Sequence, residues 1–162
     1  FRSQEKRYDQ ELVLRFFAFK NFRTNYKHDV SDFLTDYMEK ISDPQNNELS
    51  FDYSEEQAVF EKTFQILSNT LGEKAFSGTN SHGTLVKRFL TYHFEAFSLG
   101  IQSCIEQINP NDEQEMEKLK QIFIDIKNDP EFKRITTGGG KNYQRPLNER
   151  IDFVNERVTA AL

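Results

Sequence analysis

The run from Thr84 to Ile108, TLVKRFLTYHFEAFSLGIQSCIEQI, constrains this chain more than any other stretch. Read at 3.6 residues per turn, Arg88, Thr91, Glu95, Ser98, Gln102 and Glu106 fall on one narrow strip, and nearly every other position is apolar or aromatic. A helix that is apolar around most of its circumference has to be surrounded, by other helices or by lipid. Lys87, Arg88, His93, Glu95 and Glu106 argue against lipid, and no unbroken apolar run approaches the roughly 18 to 20 residues that cross a bilayer. The pattern therefore predicts a central buried helix over 84–108, about 37 Å long, in an all-α bundle with no membrane partner.

The chain of 162 residues fits one helical domain, 1–162, and a domain of that size buries roughly 70% of the surface its unfolded chain exposes. Sixteen Phe and six Tyr without a Trp make an aromatic core, while only seven Gly and four Pro disfavour a many-turned β fold. Cys104 is the single cysteine, so no internal disulfide forms, which fits a reducing, cytoplasmic compartment. The chain opens on Phe1 and reads as a C-terminal piece of a longer protein.

About six helices are expected. The first starts near Asp9 and runs to Phe22 with Leu12, Phe16 and Phe19 on one face; Arg15 sits between the apolar rows. The second spans Asp29 to Ile41, and Asp43 to Tyr53 is a loop. Ser54 and Gln57 form a capping pair for the third, which ends at Gly72. Glu73 to Gly83 is a Gly/Ser/Asn-rich loop. After the central helix, Asp112 and Glu115 cap a helix with the stripe Met116, Leu119, Ile122, Phe123, Ile126, and Asp129-Pro130 opens a short one to Ile135. A loop, TTGGGKNYQR, then feeds a last helix from Pro146 to Ala161.

Charge is uneven. Residues 1–30 and 133–162 each carry net +3, and the middle carries −11, so the two ends would form a basic patch if they meet. Three glycines before Lys141 at a helix start suggest a phosphate cradle, but a Walker loop needs Ser or Thr after its lysine, and Asn142 follows here. The candidate phosphate or nucleic-acid contacts are accordingly Arg134, Lys141, Arg145 and Arg150. His28, His82 and His93 are isolated from one another, Asp29, Asp32, Asp36 and Glu39 match no calcium loop, and no metal or other cofactor is expected. His93, beside Tyr92 and Glu95, reads as a packed structural histidine before a general base, and no catalytic set emerges.

The run Arg7 to Phe19, RYDQELVLRFFAF, followed by Phe33, Leu34, Tyr37 and Met38, resembles the helical C-terminal region of bacterial GmrSD-type proteins of the domain-of-unknown-function class. Phe94-Glu95 and Arg150-Ile151 extend the likeness along the chain. Those proteins join the helical region to a ParB/sulfiredoxin-like N-terminal domain, and the resemblance implies a restriction-type role in phage defence, with nucleotide hydrolysis in that other domain. Its Asp-Gly-Gln-Gln-Arg hallmark is absent here, as is the His-Asn-His pattern of some relatives. No catalytic residue carries over. The resemblance thus implies a supporting domain whose partners are the N-terminal catalytic domain of the same parent chain and DNA; the alternative is a helical protein-interaction module with no nucleic-acid role.

Overall fold

A computed structural model describes the backbone of residues 2–162 and the side chains of residues 7–162. Helices dominate it: α1 (Arg2–Phe22), α2 (Val30–Ser42), α3 (Tyr53–Leu71), α4 (Thr91–Gly100), α5 (Glu113–Asn128), α6 (Pro130–Thr136) and α7 (Gln144–Thr159), with short 3-10 turns between some of them. One small antiparallel hairpin, β1 (Ser77–Thr79) and β2 (Leu85–Phe89), is inserted before α4. The mainly helical class agrees with the sequence reading. Among the described residues no helix is long and apolar enough to cross a membrane.

The predicted helix over 84–108 is corrected. Its first third is strand β2, its middle is the ten-residue α4, and its last third is a 3-10 segment, Gln102–Gln107. The strand forms because an Asn80 turn precedes it: the Asn80 carboxamide accepts from the His82 and Thr84 backbone N–H groups, and Gly83 takes φ +76°. A run as short as Leu85 to Leu90, LVKRFL, carries no decisive period, and the turn chemistry upstream decides it. The residues that read as one connecting loop, 73–83, therefore hold β1 and the hairpin turn.

Elsewhere the local chemistry is direct. Asp29, Asp112 and Asp129 cap α2, α5 and α6 by accepting from backbone N–H groups of the first turn, and Gly72 ends α3 at φ +53°. Two starts differ from expectation. At α3 the cap is Asp52, which accepts from Ser54 and Glu55, while Gln57 donates instead to Glu61. At α1 the helix already runs through Asp9; residues 7–10 are exposed, so no apolar stripe marks those turns in the sequence.

Burial sorts into two clusters with α4 between them. Phe97 and Ile101 face Ile66, Leu119, Phe123, Phe132 and Val154. Phe94 and Leu99 face Phe16, Phe19, Phe33, Tyr37 and Leu147. Each fully buried Phe contributes roughly 1.5–3 kcal/mol, and edge-on pairs such as Phe97–Phe123, 5.2 Å between centroids, order the rings. Helix α7 packs against α4, and at Gly100 an added Cβ would stand 2.7 Å from that of Val154. The central buried element is thus real but short, and its brevity leaves its N-terminal end open to a cleft.

Candidate anion-binding cleft

Two residues of α4 begin the site. His93 and Glu95 are two positions apart, hence about 200° apart around the helix, and each is buried on its own side.

On the Glu95 side charge is fully paired. Oε2 accepts from Arg150 Nε at 2.9 Å and Nη2 at 2.6 Å, and Oε1 accepts from Arg15 Nη1 at 3.0 Å. Arg15 also meets Glu11, one turn earlier on α1. Arg150 spends a further N–H on the Lys141 carbonyl at 3.2 Å and lies 4.4 Å from the Tyr92 ring centre, and the Tyr92 hydroxyl donates to Asn142. The basic ends of the chain do meet here, across one buried carboxylate. Burial, reinforced by the Glu95 charge, pushes the neighbouring Tyr26 phenol up to about 12.

On the His93 side it is not. Lys127 Nζ donates to the carbonyls of Ala75 at 2.8 Å and Ser77 at 2.7 Å, contacts His93 Nδ1 at 3.3 Å, and sits 4.2 Å from the Phe97 centroid. All four partners are neutral. Among the described residues no carboxylate stands within ion-pair distance of Lys127, although the residue is only 1% exposed. Burial holds its ammonium down to about 7. Burial first, and the Lys127 charge second, push His93 down to about 3, so the ring is neutral at physiological pH.

Above this pair opens a cleft of about 890 Å³, walled by β2, the start of α4, α6 and the glycine loop after it. Its charged lining is Arg15, Arg88, Lys127 and Lys133; its hydroxyls are Thr79, Thr91, Thr136, Thr137 and Tyr92; its lining includes no Asp or Glu. Among the described residues neither Arg88 nor Lys133 has a carboxylate within ion-pair distance. Gly138, in the wall at φ +87°, lets the loop turn where a side chain would be strained. With Arg15 already paired to Glu95 and Glu11, Arg88, Lys133 and Lys127 are the basic groups that face a carboxylate-free cavity of small-ligand size, which favours an anion with several oxygens.

None of the four cations picked from the sequence lines this cleft. Arg134, exposed, makes a two-pronged pair with Glu131, which raises its pKa further. The Lys141 ammonium donates to the Arg134 carbonyl at 2.6 Å. Arg145 reaches Glu149 at 2.8 Å on the outer face of α7. Arg150 is buried under Tyr92 and its charge is used by Glu95. The glycine loop thus gathers Arg134, Lys141 and Arg150 through backbone carbonyls, while Arg145 stays apart. The cations missed were Arg88 and Lys127. Lys127 had a signal: one turn after Phe123, it continues the apolar stripe of α5, where a lysine is out of place. Among the described residues no group of three or more His, Cys, Asp or Glu is placed to hold a metal ion. No family model, no curated protein and no solved structure matches this chain.

Proposed function

We propose that this chain is a non-catalytic binding domain that takes a phosphate-bearing ligand in the cleft, and that it serves DNA recognition beside a catalytic domain in a GmrSD-like defence protein. The observation that carries the reading is a cavity lined by Arg15, Arg88, Lys127 and Lys133 and by no carboxylate. Its volume suits one or two nucleotide units and not a duplex, whose groove would need an exposed helix or ribbon. Arg150 serves the site at one remove, by holding the Lys141 carbonyl and so the loop.

The test is titration of a short 5′-phosphorylated single strand into the protein and into the double variant Arg88→Ala/Lys133→Ala. Affinity is expected to fall at least tenfold, and the slope of log K against log salt to shrink by about 1.4, two contacts at roughly 0.7 each. Equal binding by both proteins would remove this reading. Failure of every phosphate compound to bind would favour a protein-docking role at the groove between α1 and α2, where Leu14, Val30, Leu34 and a half-exposed Met38 lie together.

A further inference from the structure

Among the described residues, Lys127 differs from the other buried and half-buried cations Arg150, Arg15 and Lys20 in what answers its charge. Arg150 and Arg15 share Glu95, and Lys20 meets Glu56 at 2.9 Å. Lys127 has two carbonyls, a neutral imidazole and a phenyl face. An ammonium so enclosed loses its hydration without gaining a counter-ion, a large cost that is relieved either by shedding its proton or by bringing an anion close. The cleft directly above it supplies the room for the second.

Resting on the reading of the cleft as a phosphate site, we infer that its ligand is a phosphomonoester presented end-on to Lys127, and that binding takes up a proton at that lysine. The class follows from depth and charge. Of the lining residues Lys127 and His93 are buried, Lys133 is half-buried and Arg88 is exposed, so the first two make the deep end and the last two the outer one. A phosphate at the end of a chain reaches such a floor, whereas an internal diester is held off by substituents on both sides. A monoester is close to a dianion at pH 7 and above, so it answers the floor cation and a rim cation together.

The groups facing Lys127 set the direction of the linkage. From α4 come His93, neutral, and the Phe97 ring; from the turn into β1 come the carbonyls of Ala75 and Ser77; the cleft adds Arg88 from β2, Lys133 from α6 and Arg15 from α1. With the cleft empty, burial favours the amine. With a dianion seated among these groups, the ammonium is favoured, and the proton comes from the buffer. Direct contact is not required, because a charge acts strongly over a few ångströms in so dry a floor. The contact to His93, at 3.3 Å the longest of the three, is the one a ligand oxygen can replace.

The experiment is calorimetric titration of the whole chain at pH 8 with thymidine 5′-monophosphate and, separately, with the dinucleoside phosphate TpT, each in two buffers of different ionisation enthalpy. Since Lys127 titrates near 7 when the cleft is empty, the monoester is expected to take up more than about half a proton per site at pH 8. It is also expected to bind at least tenfold more tightly than TpT. Lys127→Met should abolish the uptake. Binding with no proton uptake in the unaltered protein, or equal affinity for TpT, overturns the inference while leaving the phosphate cleft in place. No binding by either compound overturns both.

Discussion

Helix α4 carries two buried polar nodes on opposite sides, and they solve the same problem in different ways. Around Glu95, two arginines from the two ends of the chain converge on one carboxylate, every charge is paired, and the result ties α1, α4 and α7 together. Around His93, a lysine from α5 holds a hairpin strand by its carbonyls and has no carboxylate partner among the described residues. The first node is architecture. The second is poised, because its charge state depends on what occupies the cleft above it.

The comparison breaks most visibly at Glu95. Glu95→Gln keeps the shape but leaves Arg150 buried without a counter-charge, and removing one partner of a buried pair costs on the order of 3–5 kcal/mol. Denaturant unfolding measures it; a loss below about 1 kcal/mol would show that the arginines find other partners.

A smaller effect sharpens the contrast at Lys127. Its proton leaves near 7 in the folded chain and near 10.5 in the unfolded one, so between those values the unfolded state binds more protons, and stability rises with pH through that window. His93 acts in the same direction lower down: the unfolded chain takes its proton below about 6.5, the folded one only near 3, so stability falls as pH drops through that range. Lys127→Met should flatten the rise above pH 7 and, by removing a charge that helps hold His93 down, narrow the lower one without abolishing it, since burial is its larger cause. At pH 7 its net cost should stay within about 2 kcal/mol, since removing a buried charge offsets part of the loss of two carbonyl partners. An unchanged slope above pH 7 would mean that Lys127 is solvated.

Legibility in the sequence follows the same division. The caps Asp29, Asp112 and Asp129, the Gly72 stop and the stripe of α5 are local signals, and they appear where expected. The hairpin is hidden, because Leu85 to Phe89 leads into apolar α4 with no Gly or Pro between them, and only Asn80 and Gly83 betray the turn. The basic ends were visible as composition, yet their meeting point was not: Arg15 and Arg150 find Glu95 across 80 and 55 residues, a distance no spacing rule spans. For the same reason the glycine loop points to Lys141 and Arg145, whereas the unpaired basic groups of the cleft, Arg88, Lys127 and Lys133, come from β2, α5 and α6.

The most direct test is the titration of Lys127 itself, followed by NMR at its Cε and Nζ with the cleft empty and with thymidine 5′-monophosphate bound. The account predicts a midpoint near 7 when empty and a clearly higher one when occupied. A midpoint at the ordinary lysine value of about 10.4 in the empty protein, or one that does not move with the ligand, would contradict it.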